Sequence, residues 1–420
     1  MARAMTRRRL IALGGCLAVA SAALALALGC GDDNTAGPEG NGVTATTRVP
    51  AAGAAPAAPA TTIAATTAAP ATTAAPAATA GAGAKPAPAR PRPAGALPAA
   101  PARAVARLFL VGFGGTRPPR AVLQHVALHE WGGVVLEPGN GVSPQQVADL
   151  VARLRGAALR AGHQPPLIAA SQLGGDLDAV PVGAPLQSAA RDAAGARAAA
   201  LAVAEVLHKL GIRMVLAPDA DIGFAGGPWE GIAFSDDPGT AAAMTAAAVA
   251  GWRDGAVAPA PGHFPGEGAA SGDPALEAAT VGLSLADLRR RDLRPFAAVA
   301  WHAPAIQLSA ATYVAYDGVT PATLLPGVVQ LLRRDLGFGG VIVSGDLAAA
   351  SLAGGRPVAD LAVQAIKAGV DLLWIPGDAG DQDAAWRAVL RALRSGEIPA
   401  TRVADALRRV TALRDAYGVG

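Results

Sequence analysis

From residue 103 to the end of the chain, short apolar segments alternate with longer segments of helical periodicity. The apolar segments have the length and composition of buried strands. They number eight, at 108–113, 133–136, 167–171, 214–218, 256–260, 305–309, 341–345 and 371–375. Helices are predicted between them at 144–159, 189–210, 240–252, 326–336 and 358–368, with a last pair at 384–395 and 401–417. This alternation predicts an α/β fold with a parallel sheet.

Eight strand-then-helix units in about 300 residues are what a (β/α)8 TIM-type barrel requires, so a single folded domain over 103–420 is sufficient. An open doubly wound sheet is the alternative. Gly112-Phe113-Gly114-Gly115 follows the first predicted strand, and it lacks both the glycine spacing and the ribose-binding acid of a dinucleotide site. The barrel is therefore preferred, and no cofactor is expected.

Residues 1–30 have the organisation of an export signal, with four arginines ahead of an apolar run at 10–28. The end of this run, Ala27-Leu28-Gly29-Cys30, resembles a bacterial lipobox, in which the cysteine is lipidated. The segment 6–11, Thr-Arg-Arg-Arg-Leu-Ile, resembles a twin-arginine export motif. An uncleaved membrane anchor is the alternative for Cys30, because the apolar run is long enough to span a bilayer. Either interpretation tethers the protein to the outer face of the cytoplasmic membrane.

Residues 31–102 are mostly Ala, Pro, Thr and Gly, and 49–84 contain no charged residue. Such a stretch cannot bury a core, so it is predicted to be a disordered spacer. Removing the four arginines of the signal from the formal charge of +3 leaves −1 for the mature chain. Because binding to phosphate backbones needs clustered cationic charge, nucleic acid is excluded as a partner.

The sequence offers little for metal binding. Both cysteines, Cys16 and Cys30, lie in the N-terminal segment, so the folded part has neither a disulfide nor a thiolate metal site. His125 and His129 are four residues apart on the predicted first helix, which is a spacing that suits a metal ion, but the sequence shows no third ligand. They are interpreted as part of a solvated helix face, and no metal is expected.

Several segments resemble, in the same order, the motifs of glycoside hydrolase family 3, in particular its single-domain β-N-acetylglucosaminidases. The segment 263–268, His-Phe-Pro-Gly-Glu-Gly, is similar to the Lys-His-Phe-Pro-Gly-His-Gly stretch of the family, and 331–344 is similar to the run that leads to its nucleophile. Further matches are at 217–218, 234–238, 320–324 and 368–371. The resemblance extends over nearly all of 108–418, and it implies the barrel and a sugar-binding site.

The same resemblance implies that the catalytic residues are replaced. The nucleophile of the family, the Asp directly after the serine that ends the seventh strand, corresponds to Gly345, and its acid/base His corresponds to Ala275. The Asp that pairs with this His is retained as Asp273. A retaining glycosidase needs one carboxylate that attacks the anomeric carbon and a second group that protonates the leaving oxygen. An exported member of the family with lost or impaired glycosidase chemistry is therefore expected.

The polar residues that surround the sugar in the family are also reduced. The replacing residues are Ser171, Leu173, Ile232, Gly262, Glu267 and Ala310. The candidates that remain are Asp346 and Asp273 as catalytic carboxylates, and His263, Gln172, Asp221 and Tyr313 as substrate-binding residues.

Two main hypotheses follow. In the first, the protein binds or scaffolds peptidoglycan or another N-acetylglucosamine-containing glycan at the cell wall. In the alternative, it is an active retaining β-N-acetylhexosaminidase in which Asp346 and Asp273 have taken rearranged roles. A third hypothesis, that the barrel exterior binds a protein partner, is supported only by the long spacer.

Overall fold

The computed structural model of the protein describes residues 98–419. The predicted signal segment, the predicted lipidation at Cys30 and nearly all of the predicted spacer lie outside these residues. The first described helix, Pro101–Ala106 (α1), begins two residues before the predicted start of the folded domain. Among residues 98–419, no helix combines the length and the apolar character needed to cross a membrane.

Eight parallel strands form the centre of the domain, and each lies within one of the eight apolar segments of the sequence. They are Phe109–Val111 (β1), Gly133–Leu136 (β2), Leu167–Ser171 (β3), Met214–Leu216 (β4), Ala258–Pro259 (β5), Ala305–Gln307 (β7), Val341–Val343 (β9) and Leu373–Ile375 (β10). Their side chains are almost all buried, as expected for parallel strands covered on both faces. Two further strands, Thr280–Val281 (β6) and Thr312–Tyr313 (β8), pair with each other outside this set.

The strand pairing closes into a (β/α)8 barrel. Six strands are neighbours in the order β10, β1, β2, β3, β4 and β5, and β7 pairs with β9. Parallel bridges between Phe264 and Leu308 and between Val343 and Leu372 join these two groups. The predicted TIM-type barrel is confirmed, and the C-terminal ends of its strands therefore converge on one opening, where barrel enzymes bind their substrates.

Helices cover the outside of the barrel, and they include the seven whose ranges the sequence periodicity predicts. They are Arg120–Leu128 (α2), Pro144–Arg160 (α3), Ala193–Lys209 (α4), Pro238–Asp254 (α5), Leu285–Arg290 (α6), Leu293–Val299 (α7), Pro326–Gln330 (α8), Leu347–Gly354 (α9), Val358–Ala368 (α10), Ala379–Ser395 (α11) and Ala400–Ala416 (α12). Several begin with a side-chain cap: Ser143 accepts from the backbone N–H of Gln146, and Asp237 from that of Thr240. Such caps satisfy N–H groups that have no partner within the helix.

A buried carboxylate joins three elements at the N-terminal end of the barrel. Asp371, which precedes β10, is fully buried. Its Oδ1 accepts from Arg402 at 2.6 Å and from Arg409 at 3.1 Å, both on α12. Its Oδ2 accepts from Arg333 at 2.5 Å and from the backbone N–H of Ile342 at 3.1 Å. This cluster ties the last helix to the strands β9 and β10.

Candidate active site

The opening of the barrel contains four titratable side chains from two neighbouring strand ends. Asp219 and Asp221 follow β4, and His263 and Glu267 lie in the loop after β5. A parallel bridge between Asp219 and Gly262 extends the β4 and β5 pairing into this loop. The two strand ends therefore hold the four side chains close together, and we call them the mouth cluster.

Asp221 is the centre of the mouth cluster. Its Oδ2 lies 2.9 Å from Nδ1 of His263, and its Oδ1 accepts from the backbone N–H of Glu267 at 2.6 Å. Glu267 places Oε2 3.5 Å from the same Nδ1, and its Oε1 accepts from the backbone N–H of Ala310 at 3.0 Å. The imidazole is thus held by two carboxylates in a fixed orientation.

The charges of the mouth cluster shift its pKa values. Burial disfavours protonation of His263 and would lower its pKa. The negative charges of Glu267 and Asp221, together with the hydrogen bond to Asp221, outweigh burial and raise the pKa of the imidazole to about 10. Burial raises the pKa of Glu267 to about 7. Burial, together with the charge of Asp221, also raises the pKa of Asp219 well above its ordinary value. At neutral pH His263 is therefore protonated, and its Nδ1–H donates a hydrogen bond to Asp221.

His263 is the member of the mouth cluster that reaches the opening. Its side chain is 20% exposed, whereas that of Asp221 is fully buried and that of Glu267 is 3% exposed. The indole of Trp229 stacks on the imidazole with the ring centroids 4.9 Å apart. The protonated imidazole, flanked by this indole ring, therefore brings a hydrogen-bond donor to the opening.

The structure leaves no room for a carboxylate at position 345. Gly345 is buried, and its N–H donates to Oγ1 of Thr323 at 3.1 Å. A Cβ atom added to it would lie 2.9 Å from the backbone nitrogen and 3.0 Å from Cβ of Ala310. The backbone that follows β7 thus occupies the space into which a side chain at this position would project.

Asp346, the predicted replacement nucleophile, lies at the start of α9. Its Oδ1 accepts from the backbone N–H groups of Ala348 at 2.8 Å and Ala349 at 2.9 Å, so it is the N-cap of the helix. Asp273, the second predicted carboxylate, accepts from the backbone N–H of Ala275 at 2.8 Å in the loop before β6. Asp346 thus accepts from the first turn of its own helix, and Asp273 accepts from the backbone of its own loop.

Two predicted substrate-binding residues make internal hydrogen bonds. Tyr313 is fully buried, and its hydroxyl donates to the carbonyl of Gly266 at 2.9 Å. Gln172 donates to the carbonyl of Val180 at 3.0 Å and accepts from its N–H at 3.2 Å. Gln172 also lines a largely apolar cavity of about 440 Å³ between the ends of β3 and β4 and the helices α4 and α5. Of the four predicted substrate-binding residues, the structure brings His263 and Asp221 into direct contact.

Asp178, which also lines this cavity, is expected to make stability depend on pH. Burial raises its pKa to about 7, although a hydrogen bond from the backbone of Gly174 opposes the shift. An unfolded aspartate titrates near pH 3.9, so the folded state holds this proton more tightly. The stabilisation is complete below about pH 4 and is lost as the pH rises towards 7.

Asp178→Asn should therefore raise the melting temperature at pH 8 and reduce the difference between the values at pH 5 and pH 8. Thermal unfolding at both pH values measures this effect. Asp176→Asn, at an exposed position in the same loop, is the matched control and should change neither value. An Asp178→Asn profile that parallels the wild type would contradict the prediction.

Two groups of side chains within residues 98–419 bring ligand atoms close enough for a metal ion. One is formed by Asp219, Asp221 and His263 in the mouth cluster, and the other by His125, His129 and Asp383. The interpretation of the two helix histidines as a solvated face is wrong for His125, which is 7% exposed and packs its ring 4.7 Å from that of Trp131. The third residue of the group, Asp383, is distant in sequence and was not evident from the spacing.

Comparisons with known proteins agree with this architecture. The model of the glycosyl hydrolase family 3 N-terminal domain matches residues 103–413. A beta-hexosaminidase of Stenotrophomonas maltophilia (strain K279a) is 36% identical over 271 residues, which cover 60% of this chain and 78% of that protein.

Solved structures of family 3 proteins share this fold. A family 3 beta-N-acetylglucosaminidase from Paenibacillus sp. superposes with a TM-score of 0.71 at 32% identity, covering 76% of this chain and 62% of that protein. This chain thus spans less than two thirds of the Paenibacillus protein. A beta-N-acetylhexosaminidase from Beutenbergia cavernae superposes with a TM-score of 0.68 at 28% identity, covering 75% of this chain and 98% of that one. The chain, with its closed barrel and the family motif around His263, belongs to glycoside hydrolase family 3.

Proposed function

We propose that this protein is an exported, membrane-tethered family 3 member that has lost glycosidase turnover and binds N-acetylglucosamine-containing glycans, such as peptidoglycan, at its barrel mouth. The observation that carries the proposal is that the mouth lacks a carboxylate at the nucleophile position but retains the imidazole of His263. Gly345 has no carboxylate and no space for one, whereas His263 remains fixed at the opening by Asp221.

The absence of a carboxylate affects turnover more than binding. A retaining glycosidase forms a covalent bond between its nucleophile and the sugar, and a second group protonates the leaving oxygen. The positions that the resemblance assigns to these groups are Gly345 and Ala275. Hydrogen bonding to a sugar hydroxyl and stacking on its apolar face require neither group, so the mouth can retain a ligand that it does not cleave.

The class of glycan is proposed from the relatives. The Stenotrophomonas protein is named a beta-hexosaminidase, and the Paenibacillus and Beutenbergia structures are described as a beta-N-acetylglucosaminidase and a beta-N-acetylhexosaminidase. Transferred to this chain, these names indicate an N-acetylhexosamine ring as the group recognised beside His263. The lipobox-like end at Cys30 and the composition of residues 31–102 support a location at the outer face of the cytoplasmic membrane.

Glycan binding at the mouth is expected to depend on His263. Titration calorimetry of the full-length protein with a soluble N-acetylglucosamine oligosaccharide should show binding, and His263→Ala should weaken it by about tenfold or more because a hydrogen bond from a charged donor is lost. Trp229→Ala should also weaken it while leaving the contact between His263 and Asp221 intact.

His302→Ala is the matched control for this experiment. His302 is exposed and precedes β7, so it lies at the opposite end of the barrel from the mouth. Its replacement should leave the affinity unchanged. A wild-type protein with no measurable affinity, or equal affinities for His263→Ala and the wild type, would refute binding at the mouth.

A further inference from the structure

His125, His129 and Asp383 bring their ligand atoms together on the outside of the barrel, away from the mouth cluster. His125 lies in the last turn of α2, and His129 is the residue that follows this helix. Asp383 lies on α11, more than 250 residues later in the chain. Its Oδ1 is 2.8 Å from Nε2 of His125 and 3.2 Å from Nε2 of His129. A single carboxylate oxygen thus faces the Nε2 atoms of both imidazoles.

These distances are close to those of an occupied metal site. Zinc binds imidazole nitrogen and carboxylate oxygen at about 2.0–2.2 Å, which places the ligand atoms of a tetrahedral site about 3.3 Å from one another. In this structure the three ligand atoms all lie within 4.8 Å of one another. To accommodate an ion between the three side chains, Oδ1 of Asp383 would have to move away from Nε2 of His125, from which it now lies 2.8 Å.

The surroundings of the three residues also fit a metal site. The ring of His129 lies 4.7 Å from that of Trp131 and 4.4 Å from that of Trp386, so two indole rings pack against it. Arg387 contacts Oδ2 of Asp383 at 3.3 Å, which leaves Oδ1 facing the imidazoles. Groups that orient the ligands in this way are typical of metal sites. The side chain of Asp383 is 27% exposed, so an ion can enter and a water molecule can take the fourth position.

We propose that His125, His129 and Asp383 form a zinc-binding site that joins α2 to α11. Two neutral imidazoles and one carboxylate are a ligand set that zinc prefers. Because both ends of the barrel sequence contribute ligands, a bound ion would fasten the first barrel helix to the helix that follows the last strand. The site is separate from the mouth cluster and does not depend on the proposed function.

Titration of the full-length, metal-stripped protein with Zn²⁺ tests this proposal. One ion per chain is expected, together with an increase in melting temperature, because a ligand that binds only the folded state stabilises it. Co²⁺ in place of Zn²⁺ should give the visible absorption of a four-coordinate nitrogen and oxygen site. Asp383→Asn and His129→Gln should each weaken Zn²⁺ binding by at least about tenfold and remove the increase in melting temperature.

Two matched variants locate the ion. His302→Gln removes an exposed histidine, and His263→Gln removes the imidazole of the other group of potential ligands. Both should bind one Zn²⁺ with the affinity of the wild type. Loss of binding in His263→Gln with retention in Asp383→Asn and His129→Gln would place the ion in the mouth cluster and overturn the proposal. Equal binding by all four variants, or no binding by the wild type, would also overturn it.

Discussion

The full-length protein is expected to hydrolyse an aryl N-acetyl-β-glucosaminide at least about 10⁴-fold more slowly than the Stenotrophomonas beta-hexosaminidase. The reason lies in two positions. Gly345 supplies no nucleophile, and removal of a nucleophile costs on the order of 10⁴ or more in rate. Ala275 supplies no acid, and a positioned acid/base group contributes about 10² to 10⁴. Release of the aryl group from equal concentrations of the two proteins measures the difference.

Asp346→Asn is the variant that distinguishes a protein without glycosidase activity from one in which Asp346 has become the nucleophile. Asparagine keeps an Oδ1 acceptor for the N–H groups of Ala348 and Ala349, so α9 retains its cap, but it cannot act as the nucleophile. We expect the same background rate for the variant and the wild type. A wild type that turns over with Asp346→Asn inactive would instead establish a working hexosaminidase and refute the loss of turnover.

The barrel could be predicted from the sequence because its elements are specified locally. Each strand, such as 133–136 or 167–171, is a short apolar run that ends in turn residues. Because parallel strands are buried on both faces, such a run can be recognised without knowing which strand it pairs with. The helix predicted at 326–336 is the least regular, because α8 ends at Gln330 and continues as a π-helical turn, Leu331–Asp335. Local periodicity does not distinguish this geometry from an ordinary helix.

The candidate site was predicted less completely. The resemblance identified His263 and Asp221, but not that Glu267 would contact the same imidazole, since a replaced residue in a motif does not show which partner it acquires. The helix cap at Asp346 had a signal, because an Asp directly before an alanine-rich helix is typical of an N-cap. The contact of Asp383 with His125 had no signal in the sequence, because no local pattern joins residues so far apart along the chain.

Asp371→Ala is expected to lower the free energy of unfolding by about 3–5 kcal/mol, because removal of one partner from a buried ion pair leaves the other charges uncompensated. The arginines that would lose their anion are Arg333, Arg402 and Arg409, whose side chains are only 16–25% exposed. The backbone N–H of Ile342 would lose an acceptor as well. Denaturant unfolding of the wild type and the variant measures the difference.

Asp335→Ala is the control, since Asp335 pairs with Arg289 at 3.1 Å and both side chains are at least half exposed. Its loss should cost no more than about 1 kcal/mol, and a similarly small loss for Asp371→Ala would show that the three arginines find water or other partners instead. In barrels, residues at the N-terminal ends of the strands serve stability and those at the C-terminal ends serve function. A large effect at Asp371 would show that the N-terminal end of this barrel serves stability, so that the proposed loss of turnover concerns only the C-terminal end. Such a division is what a folded glycan-binding protein without turnover requires.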